Sequence, residues 1–309
     1  MRLAAIDIGS NSIKVVVVEA ARSDAFDVLA SDRDTVRLGQ ETLVYKHLSD
    51  AAMQRAVTCL TRFCSLAATH GAEQIVATAT AFLREADNAD EFIRVIERKT
   101  GLRVQVVSGI EEARLIGLAA AHGCTEKGVT SLNIDIGGGS TELSIFRDDE
   151  PVTLKSIPIG AVGLTDRFIR SDPPAPDELE AMRTEIRASL QPHVSEFLAC
   201  GWNFVTATSG TAMTIGIALS HILPPASTTV SFAQLKELVS QLAAFTIAER
   251  QTIAGIPAQR ADIIVAGAVV LEEVMSALRI ESLKTCDWSL REGVIIDRLR
   301  SSMARLAGE

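Results

Sequence analysis

A seven-residue pattern occurs twice in this chain. Ile6-Asp7-Ile8-Gly9-Ser10-Asn11-Ser12 returns as Ile134-Asp135-Ile136-Gly137-Gly138-Gly139-Ser140, 128 residues later (135 − 7). Each copy has an apolar strand ending in Asp, a turn of small residues, and a second strand leaving it, Ile13 to Glu19 and Glu142 to Phe146. Apolar runs separated by a Gly- and Ser-rich turn read as hairpins. Matched hairpins one domain-length apart predict a duplicated fold. At 309 residues, the chain has room for two domains of about 150 residues each.

Behind each hairpin the pattern changes to alternating helices and strands. Helices are expected over 49–71, 90–100, 110–122, 176–199, 211–221, 232–245, 247–253, 261–278 and 289–306. Strands are expected over 73–79, 102–107, 202–207 and 282–285. Ser49 is read as an N-cap and Gly101 as a helix stop. A hairpin followed by β-α alternation makes a mixed sheet covered by helices. Two such units leave a cleft between them, where ligands usually sit. The boundary is placed at about residue 125, giving domains 1–125 and 126–309.

Composition narrows the partners. The net charge of −9 argues against a nucleic-acid polymer, which needs a basic footprint. A polyanionic substrate would need local attraction instead. No apolar run is long enough to span a membrane, and the chain opens directly on a strand, with no targeting segment in view. The five cysteines, Cys59, Cys64, Cys124, Cys200 and Cys286, have no C-x-x-C spacing. They read as reduced structural thiols and point to a cytoplasmic protein without zinc.

Gly and Ser in the turns let backbone N–H groups approach a phosphate closely. Gly137, Gly138, Gly139, Ser140 and Thr141 offer such donors and two hydroxyls. An ionised Asp would repel phosphate, so Asp135 reads as holder of a hard cation. For Asp7 a metal role and a turn-capping role weigh equally.

Three further segments suit the same chemistry. In Ser108-Gly109-Ile110-Glu111-Glu112-Ala113-Arg114 two acids open a helix. Either they complement its dipole, or one faces the cleft and orients a water. Thr206 to Thr211, with Ser209 and Gly210 between, is an anion site at a helix start, an ordinary Ser209 cap, or both. Arg84 either steers a phosphate or pairs in solvent with Glu85 or Asp87. Arg291-Glu292-Gly293 reads as a helix surface, and Trp202 and Trp288 as packing residues. No Walker-type phosphate loop, nucleophile elbow or Ser-His-Asp set is present.

Taken in order, these segments resemble the exopolyphosphatase / guanosine pentaphosphate phosphohydrolase family, within the actin-like, sugar-kinase and Hsp70-type ATPase superfamily. The resemblance covers essentially the whole chain. It rests on the two Asp turns, Thr78 through Ala86, Ser108 through Leu115, Asp135 through Glu142, Ser209-Gly210-Thr211 and Leu290 through Gly293. It implies an α/β fold of two ribonuclease-H-like (actin-like ATPase) domains, with the active site in the cleft. The last helix, about 290–309, is then expected to pack back on the first domain. By the same resemblance Glu112 activates the water, and Asp135 and Glu142 hold Mg²⁺; Asp7 of the duplicated turn is the third candidate metal residue, and Mn²⁺ the alternative ion. Ser10, Asn11 and Arg84 bind phosphate, and the glycine-rich turn with Ser209-Gly210-Thr211 completes the cradle.

There are two departures. Gly163 stands where many members carry Arg, and the helical C-terminal extension of the long members is missing. Short polyphosphates or guanosine pentaphosphate therefore suit the chain better than a long polymer. The expected activity is release of orthophosphate from terminal phosphoanhydride bonds of polyphosphate. Guanosine pentaphosphate hydrolysis and a non-catalytic sensor of polyphosphate or alarmone are the alternatives. The resemblance also allows a homodimer.

Overall fold

The computed structural model describes residues 1–20, 25–40, 42–222 and 228–307. The first lobe contains β1 (Arg2–Ile8), β2 (Ile13–Glu19), β3 (Asp27–Asp34), α1 (Thr42–Tyr45), α2 (Asp50–Thr69), β4 (Gln74–Ala79), α3 (Ala81–Glu85), α4 (Ala89–Thr100), β5 (Val104–Val106) and α5 (Gly109–Cys124). The second begins with β6 (Thr130–Ile136), β7 (Thr141–Arg147), β8 (Glu150–Ile157), α6 (Ala161–Phe168), α7 (Pro176–Cys200), β9 (Phe204–Thr208) and α8 (Ser209–Ile222). It ends with β10 (Thr229–Ser231), α9 (Phe232–Ala244), α10 (Ile247–Arg250), a 3-10 turn at Ala258–Arg260, α11 (Ile264–Ala277), β11 (Ser282–Thr285) and α12 (Leu290–Ala307).

The duplication is visible in the sheets. The first has strand order β3-β2-β1-β4-β5, the second β10-β11-β9-β6-β7-β8. β1 pairs antiparallel with β2 and parallel with β4. β6 pairs in the same two ways with β7 and β9. The register is also shared: Asp7 lies opposite Lys14 and Asp135 opposite Glu142. Such mixed sheets covered by helices are α/β architecture.

Local chemistry sets the helix ends. Ser49 accepts the Ala52 N–H at 3.3 Å and caps α2, and such a cap contributes about 1 kcal/mol. Gly101 stops α4 in the left-handed region, φ 74°, which costs glycine little. Ser108 caps α5 by accepting the Glu111 N–H at 3.2 Å. The expected helix over 247–253 is cut short, because α10 covers only Ile247–Arg250. Thr252 and Ile253 instead close turns onto Glu249 and Arg250.

α12 returns to the first lobe. Leu290, Val294, Ile295 and Leu299 are buried against Leu3, Ala5, Val16 and Val18. Residues 308 and 309 of the expected last helix lie outside the described residues. Here the reading of Arg291-Glu292-Gly293 as a helix surface is corrected. Glu292 is buried and accepts the Ser289 N–H at 2.9 Å, while Arg291 donates to the Val15 carbonyl at 3.2 Å. A Cβ on Gly293 would stand 2.0 Å from the Leu115 carbonyl oxygen of α5. These residues form the joint by which the chain re-enters the first lobe.

The reading of the cysteines as reduced thiols is also corrected. Cys124, at the end of α5, and Cys286, just after β11, form a disulfide across 162 residues of sequence. Both sit where the chain crosses between lobes, and no local spacing reveals such a pair. The other three cysteines are free. The thiol argument for a reducing compartment therefore falls. Among the described residues no helix is long and apolar enough to cross a membrane.

Candidate active site

Each Asp turn sits at the end of the central strand of its sheet. Both close with the same hydrogen bond, Gly9 N–H to the Ser12 carbonyl at 3.1 Å and Gly137 N–H to the Ser140 carbonyl at 2.9 Å. Their carbonyls are pinned from behind. Ser10 and Asn11 accept from the N–H groups of Gly39 and Arg37. Gly137 and Gly138 accept from the first N–H groups of α6, at Ala161, Val162 and Gly163. Among the described residues no hydrogen bond leaves the N–H of Ser10, Asn11, Gly138 or Gly139. Pinned carbonyls with free N–H groups make an anion cradle.

The turns face each other across the cleft. A Cβ on Gly138 would come within 2.8 Å of Ser10 Cβ, and one on Gly139 within 2.8 Å of Ala81 Cβ. Glycine is what allows the lobes to meet this closely. Between them lies a chamber of about 80 Å³. It is lined by Asp7, Ser10, Asn11, Glu112, Asp135, Gly137, Gly138, Gly139, Ser140, Ser209, Gly210 and Thr211. Twelve of the fourteen residues singled out from the sequence thus meet in one place.

The other two, Arg84 and Glu142, lie behind the chamber wall. Arg84 was expected either on phosphate or paired in solvent with Glu85 or Asp87. Instead its Nη1 donates to Glu112 Oε2 at 2.7 Å and to the Val107 carbonyl at 3.0 Å. Glu85 pairs with Lys46. The Arg84 side chain lines a separate cavity of about 490 Å³ that shares Ala81, Gly139 and Ser140 with the chamber. Glu142 is 1% exposed. Its Oε1 accepts from Ser156 at 2.7 Å, and its Oε2 has no hydrogen-bond partner.

Ser209 has a left-handed backbone, φ 81°. Its hydroxyl donates to the Ile136 carbonyl at 2.9 Å and accepts the Thr211 N–H at 3.2 Å. Thr211 Oγ1 reaches the same carbonyl at 3.2 Å. These hydroxyls fasten the start of α8 to the end of β6, so the turn is both a structural tie and a chamber wall. Thr208 Oγ1 donates to Asp135 Oδ2 at 2.5 Å and accepts from Asn133 at 3.2 Å. That chain of bonds fixes the Asp135 carboxylate.

Burial controls the charges. It pushes the Glu112 carboxyl up to about 7, against the pull of Arg84 and with help from Asp7 and Asp135. It raises Glu142 well above the usual carboxylate range, and the charges of Glu112 and Asp135 add to this. Asp135 and Asp7 are also raised by burial, with Thr208 and Lys14 respectively opposing most. The Lys14 ammonium lies 3.9 Å from Asp7 and is itself pushed down by burial. Buried carboxylates raised in this way are candidates for function, because such an arrangement disfavours itself until a cation or proton joins it.

The residues present fit a divalent cation. Glu142 has an orphaned buried oxygen and, among the described residues, no cation beside it, and the charges of Glu112 and Asp135 act on it. Among the described residues no three His, Cys, Asp or Glu side chains converge to enclose an ion on their own. That suits Mg²⁺, which usually takes one or two carboxylates and completes its shell with water and substrate phosphate oxygens.

Arg260 was missed in the sequence. It is 9% exposed, lines the chamber, and has no hydrogen bond or ion pair from its guanidinium among the described residues. Burial and Arg33 push it down to about 10. A Cβ on Gly210 would lie 1.9 Å from its Nη2, so Gly210 makes room for it. No local pattern marked this residue, which reaches the cleft from the loop before α11. A further cavity of about 480 Å³ joins the chamber at Lys14, Ser209, Gly210 and Ser289, and carries Arg33 and Arg291.

The model of the Ppx/GppA phosphatase family matches residues 15–302. "Exopolyphosphatase 1" of Mycobacterium leprae is 34% identical over 97% of this chain and 90% of that protein. Its counterpart in Mycobacterium tuberculosis is 33% identical over 97% and 89%. Among solved structures, an exopolyphosphatase from Cytophaga hutchinsonii superposes with a TM-score of 0.90 at 28% identity, over 97% of this chain and 98% of that one. The Aquifex aeolicus member of the Ppx/GppA family gives 0.80 at 24%, over 98% of both, and supports the fold.

Proposed function

The chain belongs to the Ppx/GppA phosphatase family, whose members hydrolyse phosphoanhydrides, and we propose that it is an exopolyphosphatase releasing orthophosphate from the ends of short polyphosphate chains. The observation that carries this reading is Glu112. It is a buried carboxyl raised to about 7 that lines the small chamber between the glycine and hydroxyl turns. A general base works best with a pKa near the operating pH.

In this reading the terminal phosphoryl group sits between the turns, held by the N–H groups of Ser10, Asn11, Gly138 and Gly139. Ser140, Ser209, Gly210 and Thr211 close the wall. Arg260 and Lys14 supply positive charge from the chamber side. Glu112, held by Arg84, orients the attacking water and takes its proton. Phosphoryl transfer needs mainly positioning and charge neutralisation, and this cradle offers both. One or two of Asp135, Glu142 and Asp7 would hold Mg²⁺, or Mn²⁺ in its place, and that ion would supply charge neutralisation on the phosphate oxygens.

Polyphosphate is favoured by what flanks the chamber. One adjoining cavity carries Lys46, Arg84 and Arg167, each paired with a carboxylate, and the other carries Lys14, Arg33 and Arg291 beside Asp32 and Asp287. Neither is lined by an aromatic ring on which a base could stack, which favours the linear polyanion. Guanosine pentaphosphate is the second reading, favoured by the apolar side chains of Met213 and Ile217 in the cavity beside Gly210. Steady-state phosphate release from tripolyphosphate and from guanosine pentaphosphate, with and without Mg²⁺, decides between them. A higher kcat/KM for the nucleotide would overturn the first reading.

A further inference from the structure

Arg37 stands outside the chamber, yet it ties the two lobes together. It lies beyond β3 with a left-handed backbone, φ 56°, and its N–H donates to the Asn11 carbonyl at 2.9 Å. A non-glycine residue is uncommon there and persists where its surroundings fix it. Two residues on, the Gly39 N–H donates to the Ser10 carbonyl at 2.6 Å. This segment therefore backs the first phosphate turn.

The Arg37 side chain crosses to the second lobe. Nη1 and Nη2 hold the Asp262 carboxylate fork to fork, at 2.6 and 3.2 Å. Nη2 also donates to the Gln259 carbonyl at 2.9 Å. Gln259 and Asp262 flank Arg260. The turn that carries Arg260 is thus gripped on both sides by a residue of the opposite lobe. Arg260 is costly where it lies, since burial and the nearby Arg33 disfavour its charge and only the carboxylate of Asp262 opposes them. Among the described residues its guanidinium makes no hydrogen bond or ion pair of its own. A bidentate Arg–carboxylate pair fixes geometry as well as distance.

We propose that Arg37 is a positioning residue, which by clamping Asp262 and the Gln259 carbonyl holds Arg260 over the phosphate chamber. Closure of the lobes and completion of the cationic wall are then one event. The first turn, through the segment behind it, reports its position to Arg260. This rests on the reading of the chamber as a phosphate site.

The test is the equilibrium affinity for inorganic tripolyphosphate, by calorimetry, in a Glu112→Gln background so that ligand is not consumed. Arg260→Ala and Arg37→Ala are each expected to weaken binding about tenfold, the scale of one lost charged contact. The double variant is expected to bind within about twofold of Arg260→Ala alone, because Arg37 acts only through Arg260. Asp262→Asn breaks the clamp from the other side and should match Arg37→Ala, which covers the case of a misfolded Arg37 variant. The reversal Arg37→Asp with Asp262→Arg should recover most of the affinity lost in Arg37→Asp alone, which shows that the pair and not either charge alone is needed; the non-additivity with Arg260→Ala separates positioning from a merely structural role. Losses that multiply to about a hundredfold, or unchanged affinity in either single variant, overturn the proposal. Phosphate release by the unsubstituted chain is measured separately. Its absence would sink the hydrolase reading and leave the binding comparison intact.

Discussion

Arg84 Nη1 donates to Glu112 Oε2 at 2.7 Å, within a pair whose side chains are 21% and 9% exposed. The cation is not part of the chamber lining and reaches the proposed base from the adjoining cavity. It restrains the carboxyl that burial pushes up and fixes which oxygen remains for water. An opposite charge at this distance lowers a carboxyl by roughly one to three units. The pair therefore tunes the base.

The pH dependence of turnover follows. Glu112 must be ionised to accept a proton, so kcat should rise with pH through about 7 and level above it. Arg84→Ala removes the main influence lowering Glu112, so its rising limb should move up by roughly one unit or more. Arg84→Lys keeps the charge but loses the planar fork, and should fall between. A pH–rate profile checks this, and an unmoved limb in Arg84→Ala would remove Arg84 from the tuning role.

Stability without metal should show the opposite trend. Glu112, Glu142, Asp135 and Asp7 are all raised in the folded chain. Between the unfolded carboxyl range, about 4 to 4.5, and about 7 for Glu112, the folded state binds more protons than the unfolded state. Stability from these groups is therefore present at low pH and lost as pH rises through that window. Thermal melts in chelator should fall from pH 5 to pH 8, less steeply in Glu112→Gln. Added Mg²⁺ should raise the melting temperature more at pH 8 than at pH 5, where protons compete for the same carboxyls. Equal shifts at both pH values would count against these carboxylates as its holders.

Gly293 tests the joint between the lobes. A Cβ there would meet the Leu115 carbonyl oxygen at 2.0 Å and its carbon at 2.6 Å. Both are backbone atoms and cannot swing away. Gly293→Ala should destabilise the chain by about 1–3 kcal/mol, the usual scale of overpacking, although alanine is the better helix former. Urea unfolding measures it, and unchanged stability would mean that α12 can shift on α5 without loss.

Some of this was legible in the sequence and some was not, for physical reasons. The two turns were legible because duplication repeats residues, and the register of Asp7 with Lys14 and Asp135 with Glu142 follows from the hairpins. Three strands were not seen. β3 is largely polar with no fully buried residue, β8 carries Pro151 and buries little, and β10 has only three residues. None of them shows the apolar alternation that marks a strand. Glu112 was one of two adjacent acids until the family resemblance chose between them. Arg260 was invisible because no local pattern marks the loop from which it reaches the cleft, and Arg37 because its partner Asp262 lies across the cleft, 225 residues away. The Cys124–Cys286 pair was missed for the same reason. Gly293 was misread because a glycine that admits a neighbouring backbone looks, in sequence, like one on a surface.

The central claim is that Glu112 serves the water-activating step and not the binding of phosphate. It is tested most directly by phosphate release from tripolyphosphate in Mg²⁺, in the unsubstituted chain and in Glu112→Gln, alongside the affinity of each for tripolyphosphate. Steady release is expected from the former and a loss of roughly a hundredfold or more in Glu112→Gln, with affinity changed by less than about threefold. Full turnover in Glu112→Gln, or turnover lost only in proportion to binding, would contradict it.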